Sequence, residues 1–447
     1  MKALLGDISF SRSFWPLFAG VLAGSLLFFW SPGTFVLILY VFAFVICLPV
    51  LGAAVWWLRR VGAHIGSGSG AEALRKEIHG QRRKLAHLSR GRQAVAWAMA
   101  QVRLATALGL LAEREAERTP FEEAVEALRA ALTVFTRNED FANWAMTRHN
   151  LAIALFRLGQ RAPDGERLEE AAATLRGVLD AETRRRVPDD WPGMQSLYGT
   201  ILTELGMRDA GPARLQEAVD AGRAAVAAEG VAEVPVLRGE YLVNLAFALA
   251  SLGARSGDKA LLKEAAGAAR QALEIFVKQD DLLTTEESAR YRAACHESLG
   301  SALRGLGAGS ANAGFLEEAV AAFREALSLC GKDGRPSDWA QTQDNLGQAL
   351  RILGEREDDV LPLGEAAGAF RKALEVRTRE SFPFYWAAST DNLGRALCAL
   401  GQRSADDALL QEAAGLHRAA LEVFERAEAP AYLDEARRNL KRAEATL

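Results

Sequence analysis

The chain has 447 residues, half of them apolar and a quarter charged, which is too apolar for disorder and too long for one small core. Its formal net charge of -4 conceals three zones: residues 1–58 sum to +1, residues 59–92 to +7 and the remainder to -12. The acidic majority argues against nucleic acid as a partner, and four cysteines without a CxxC pair argue against a disulfide framework.

In chain order, residues 14–30 carry no charge, and after Ser31-Pro32-Gly33 neither do residues 34–58. At 1.5 Å per residue, helices of these lengths reach about 25 Å and about 37 Å, enough to cross a hydrocarbon core of about 30 Å. Two spans joined by so short a turn predict a transmembrane hairpin over residues 1–60. Trp15, Trp30, Trp56 and Trp57 fall near the span ends, where amphipathic rings prefer the headgroup layer. Lys2 and Arg12 precede the first span, Arg59 and Arg60 follow the second, and the turn is uncharged, so both ends are expected in the cytoplasm. This reading makes the protein multi-pass in the inner (cytoplasmic) membrane. Neither span holds an ionisable residue, which disfavours an ion or proton pathway.

Residues 61–70, ending in Gly66-Ser67-Gly68-Ser69-Gly70, predict a flexible linker. The basic zone around it forms a collar, with Arg59, Arg60, Arg75, Lys76, Arg82, Arg83 and Lys84 expected to contact an anionic lipid surface.

From there on the sequence repeats. Trp144 to Gly159, Trp339 to Gly354 and Trp386 to Gly401 nearly superimpose, each with an Asn six residues after the Trp. The register positions are Arg103, Asn150, Leu197, Asn244, Ser298, Asn345 and Asn392, at steps of 47, 47, 47, 54, 47 and 47 residues. A second pattern runs in step from Phe121, Leu168, Leu215, Leu262, Leu316, Leu363 and Leu410, with a Glu two residues on, then an Ala, and an Arg eight residues on. Leu346, Ala349, Leu350 and Leu353 form the stripe of one helix, A, and Leu363, Ala366, Ala367, Phe370 and Ala373 that of a second, B.

Helix A is expected to close at Gly354, with a long loop running to Pro362 and an extended junction from helix B to the next helix A. The recurrent Glu is expected in the first turn of helix B, where the macrodipole favours it. The recurrent Arg lies about 240° round the helix from that Glu, so the two cannot pair within one helix; a bridge to a neighbouring hairpin is expected, with a ligand role as the alternative. Helix starts are expected at Thr119-Pro120, at Pro336-Ser337-Asp338 and at Ser404. The aromatic site changes to Arg238 in one unit and Tyr291 in another, and the seven extra residues fall around Gln279 to Glu287. Residues 74–89 and 431–446 continue the pattern as terminal half-units, so the prediction is an all-α solenoid of seven hairpins over residues 71–447 with a cap helix at each end. Thin hairpins of this kind bury their apolar stripes only by stacking.

The Leu346-Gly347 pair in helix A, with Ala366, Phe370 and Ala373 in helix B, resembles the tetratricopeptide repeat signature, in long units of 47 residues against the family's about 34. The resemblance covers most of the chain and is similar to bacterial tandem repeats. It implies a concave wall of A helices that binds a protein or peptide, with Asn150, Asn244, Asn345 and Asn392 clamping its main chain and Gln348, Arg304, Arg351 and Arg395 on the same face. Leu197 and Ser298 interrupt that clamp.

No catalytic or metal-binding spacing appears. The six His are scattered, Cys295-His296 point different ways on a helix, and Gly305, Gly307 and Gly309 read as a loop with no preceding strand and no following Lys-Ser. The function expected is therefore a membrane-anchored scaffold without cofactor or catalysis. The alternative is a repeat sensor coupled to two helices that breach the membrane.

Overall fold

A computed structural model describes residues 70–115, 117–332 and 335–446. The two expected membrane spans, the linker up to residue 69, and Arg59 and Arg60 lie outside the described residues. Among those described, every regular element is helical. A single helix B, α1 (Gly70–His87), leads into hairpins α2 (Ala94–Glu115) with α3 (Thr119–Ala131) and α4 (Phe141–Gln160) with α5 (Glu166–Arg176). A short α6 (Ala181–Arg186) precedes α7 (Trp191–Arg208) with α8 (Ala213–Val226), then α9 (Pro235–Ser256) with α10 (Lys259–Lys278). Three further hairpins are α11 (Thr285–Ala308) with α12 (Gly314–Leu329), α13 (Pro336–Glu357) with α14 (Val360–Leu374), and α15 (Pro383–Ser404) with α16 (Asp407–Arg426). A last helix, α17 (Pro430–Thr446), follows. The described residues thus form an all-α solenoid of stacked helical hairpins.

Each helix A packs on its own helix B, on the next hairpin and on the next helix A. The core between them is a file of small and bulky residues. Ala124, Ala171, Ala218, Ala265, Ala319, Ala366 and Ala413 are all fully buried, and so are Phe276, Phe323, Phe370 and Phe424. Each such ring contributes about 1.5–3 kcal/mol by leaving water, which is how units too thin for a core of their own are held.

The recurrent glycine does a different job from the one expected. Gly159, Gly206, Gly253, Gly307, Gly354 and Gly401 sit inside helix A and do not end it. A Cβ on Gly354 would come within 2.8 Å of Leu363 Cγ, and one on Gly206 or Gly307 would meet Leu215 or Leu316 at 2.8 and 2.7 Å. The glycine lets the first leucine of helix B approach the backbone of helix A. In α9, α13 and α15 helix A continues three more residues and closes on Gly257, Asp358 or Ala405, whose φ angles are 72°, 56° and 50°, whereas α4 and α11 end one residue after the glycine and α7 two. The expected long loop from Gly354 to Pro362 is therefore a two-residue turn, as are the A-to-B connections of α9 and α15, while the expected extended B-to-A junctions are present, for example over residues 375–382. Gly305 and Gly307 are likewise helical, so the three-glycine stretch is not a loop.

Other boundaries shift for the same reason. Ser404 ends α15, and the cap of α16 is Asp406, which accepts from the backbone N–H of Ala408 and Leu409. Asp258 and Asp359 cap α10 and α14 in the same way. Helix B thus begins early, and Glu123, Glu170, Glu318, Glu365 and Glu412 stand in its second turn, where the dipole account no longer applies. Their partners are across the hairpins. Arg82 meets Glu123 at 2.7 Å, Arg223 meets Glu264 at 2.9 Å, Arg324 meets Glu365 at 2.6 Å and Arg371 meets Glu412 at 3.3 Å. Arg129 pairs with Glu170, and looser pairs join Arg176 to Glu217 and Arg270 to Glu318 at 3.9 and 3.8 Å. The expected neighbouring-hairpin bridge is present at every step.

The seven extra residues lengthen α10 and add a 3-10 turn, Asp280–Leu282, ahead of a capping box made by Thr284 and Glu287. At the aromatic site of that unit the register residue is Arg292, and the adjacent Tyr291 stacks on Phe276 with ring centroids 4.5 Å apart. By length and composition α2 is the one helix among the described residues apolar enough to cross a membrane, yet it packs on α3 as the first helix A.

Candidate partner-binding face

A helices touch their successors in file, so they form the inner wall, while the B helices stand outside and are bridged by the Arg–Glu pairs. The wall curves far enough to meet itself. α7 touches α17, the Arg208 guanidinium lies 4.0 Å from the Phe384 ring, and Arg161 lies 5.0 Å from the ring of Phe382. Arg208 and Glu204 are buried there beside Tyr385 and Tyr432, and burial followed by the Glu204 charge raises both phenols.

The asparagines of the expected clamp line this wall in a second ladder. Asn345 donates to Glu297 at 3.2 Å, Asn392 to Asp344 at 3.3 Å and Asn244 to the hydroxyl of Ser196 at 2.9 Å. Asn439 in α17 continues the series, donating to Asp391 at 2.9 Å. Every link spans 48 residues, one more than the repeat, so each Asn reaches the residue just before its own counterpart in the preceding hairpin. Asn150 is half-buried on the same register position.

The other candidates share the wall. Gln348 donates to Asp344 at 2.7 Å, Arg351 is buried and bonds Glu355 at 2.6 Å, and Arg395 bonds Glu435 of α17 at 2.5 Å. Arg304 is half-buried, and its Nε, the Nε of Arg351 and Asp344 Oδ1 have no hydrogen-bond partner among the described residues. Burial, reinforced by the Asp338 charge, pushes the Glu297 carboxyl up to about 8. A pocket of 220 Å³ bordered by Arg395, Cys398, His417 and Asn439 opens at the C-terminal end of the wall. His417 fills the place of Phe323 and Phe370 against the Leu-Gly glycine, and its Nδ1 lies 2.6 Å from Asp391.

The expected lipid collar is divided. Arg75 pairs with Glu115, Lys76 with Glu72 and Arg82 with Glu123, while Arg83 and Lys84 are exposed. Among the described residues no group of three or more His, Cys, Asp and Glu is placed to hold a metal. The thiol of Cys295 is pushed by burial up to about 12, so it is protonated at neutral pH.

Two arginine series escaped the sequence reading. Arg208 donates to the carbonyl of Asp164 at 3.2 Å, Arg255 to Met207 at 3.0 Å, Arg356 to Gly307 at 2.8 Å and Arg403 to Glu355 at 2.9 Å. Arg255, Arg356 and Arg403 close open carbonyls in the last turn of the preceding helix A, and Arg208 closes one in the turn that follows it. Seven residues before the recurrent Trp stands a cation: Arg90, Arg137, Arg184, Lys332 and Arg379 lie 5.1–5.6 Å from the rings of Trp97, Trp144, Trp191, Trp339 and Trp386. Both keep the 47-residue step and were detectable by aligning every position of the unit.

The tetratricopeptide repeat family matches residues 386–430, the span of the seventh hairpin. No curated protein matches the chain. Among solved structures, similarity extends to a Rap protein complexed with competence and sporulation factor, at 14% identity over 78% of this chain and 98% of that one, with a TM-score of 0.43. The apo form of RapI is similar at 15% identity over 74% and 80%, TM-score 0.40. The TPR2AB domain of yeast Sti1 complexed with pHSP90 is similar at 16% identity over 78% and 99%, TM-score 0.22. With seven hairpins sharing one register, and the seventh matched by the family, the chain is a tetratricopeptide-type helical repeat protein.

Proposed function

We propose that the protein is a membrane-anchored scaffold whose inner wall recruits a protein or peptide at the cytoplasmic surface of the inner membrane. What carries the reading is the unspent polarity of the A-helix wall, where Arg304 Nε, Arg351 Nε and Asp344 Oδ1 are buried without a hydrogen-bond partner, the last facing only Arg377 at 3.7 Å. Each such atom costs about 1–3 kcal/mol unless it is bonded, so a ligand that bonds them gains that much in selectivity. Asn244, Asn345 and Asn392 are held by the preceding hairpin, and Gln348, Arg351 and Arg395 bond Asp344, Glu355 and Glu435, so the ligand engages Arg304 and the remaining donors of Arg351 and Arg395. The anchor rests on the two uncharged stretches and the positive flanks.

The test is crosslinking followed by pull-down from membranes, with wild type beside Arg304→Ala/Arg351→Ala. One protein enriched with wild type and lost from the double variant is the expected result. No enriched partner, or equal recovery with both, overturns the proposal. Carbonate washing should leave the full chain in the membrane pellet and release a version without residues 1–60.

A further inference from the structure

In each hairpin the groove between helix B and the following helix A is filled by the hairpin's own helix A. In the first hairpin α2 does this, and Leu128, Ala131 and Phe135 beneath it are 1%, 0% and 1% exposed. Among the described residues nothing fills the groove one period earlier, between α1 and α2, which holds a cavity of 670 Å³. Its floor includes Leu88, Met99 and Ala100, and Arg83, Lys84 and Arg103 stand around it.

A terminal repeat normally turns a polar face to solvent, and that accounts for the charges alone. It does not account for the apolar floor, nor for Gln81. That side chain borders the cavity, is 2% exposed, and occupies the position of Leu128, Phe323 and Phe370 in later hairpins. Its amide N–H₂ donates to Glu77 at 2.6 Å, but its buried carbonyl oxygen has no partner. Lys84 stands where every later hairpin has Ala or Val.

We propose that this groove seats an amphipathic helix of another protein. Its apolar stripe lies on Met99 and Ala100, its acidic side chains face Arg83, Lys84 and Arg103, and one polar hydrogen bonds Gln81. The repeat lattice sets the shape, since the groove is cut for a helix, and the sign of the rim selects an acidic one from proteins that the acidic exterior otherwise repels. The site is independent of the inner wall.

The experiment titrates full-length protein in phosphatidylcholine nanodiscs against a labelled amphipathic helical peptide with glutamates flanking its apolar face, and against the same peptide with lysines. Fluorescence anisotropy is expected to show saturable binding of the glutamate peptide, with the lysine peptide at least about tenfold weaker. Arg83→Glu/Lys84→Glu should reverse that order, and Met99→Glu should abolish binding of both while the circular dichroism of the helices is unchanged. Equal binding of both peptides, or of neither, overturns the proposal. So does binding by the wild-type chain to phosphatidylserine vesicles, lost in Arg83→Glu/Lys84→Glu, without binding of the glutamate peptide, which would assign the rim to lipid.

Discussion

The outer and inner faces of the solenoid are both laced by side-chain ladders, and the two ladders differ in regularity and burial. On the outside, an Arg–Glu pair joins each helix B to the next without a gap from Arg82 to Glu412. On the inside, the Asn–acid links cluster in the C-terminal half, where Glu297, Asp344 and Asp391 accept in turn, and give way to a hydroxyl at Ser196. The outer pairs are exposed on both partners except at the half-buried Glu170, so water and salt weaken them to about 0–1 kcal/mol each. The inner links are buried or half-buried, and losing a partner there strands a polar group. Uniform repetition thus marks the weaker set, and irregularity marks the set with more at stake.

The packing beneath both ladders supplies the largest expected effect. Phe370→Ala, at a fully buried ring against Gly347, should cost about 3–5 kcal/mol in urea unfolding. Next comes the inner ladder. Asp391→Ala removes the acceptor of both His417 and Asn439, and a loss of about 2–4 kcal/mol is expected from two stranded buried groups. Adding His417→Phe, which restores the residue type of the two preceding hairpins, should recover part of it.

The third effect is a pH slope. The Glu297 carboxyl titrates near 8 in the folded chain and lower when unfolded, so the folded state holds the extra proton. Stability from this group is therefore full below its unfolded pKa, declines as pH rises through the interval, and is flat above about 8. Glu297→Gln should flatten that decline in melting temperature, and an unchanged slope would sink the assignment. The smallest effect is on the outside. Arg324→Ala, Glu365→Ala and their double variant should yield a coupling energy below about 1 kcal/mol that shrinks in high salt. An outer coupling as large as the inner loss would break the contrast.

Much of this was legible because the chain is compared with itself seven times. The hairpin register and the close-packed alanines follow from the period, and the angle between Arg and Glu excludes a pair within one helix, leaving a neighbouring hairpin or a ligand. Gly354 was misread because a glycine after an apolar stripe usually ends a helix, whereas here the constraint is a leucine nine residues on. The partners of Asn345 and Asn392 were hidden because a 48-residue link is visible only once adjacent A helices are aligned side by side. The contact of Arg208 with Phe384 lies beyond sequence reading, since it depends on small rotations accumulated over several hairpins.

The cation-backed tryptophans make the solenoid optically uneven. Trp97, Trp144 and Trp191 sit in the first three hairpins and Trp339 and Trp386 in the last two, while Arg238 and Arg292 leave the fourth and fifth dark. Loosening that starts at either end of the described array would dim emission early, and a break at the 3-10 turn between α10 and α11 would pass almost unseen until it spread. The order of tryptophan and circular dichroism changes during unfolding therefore reports where the spring first gives way.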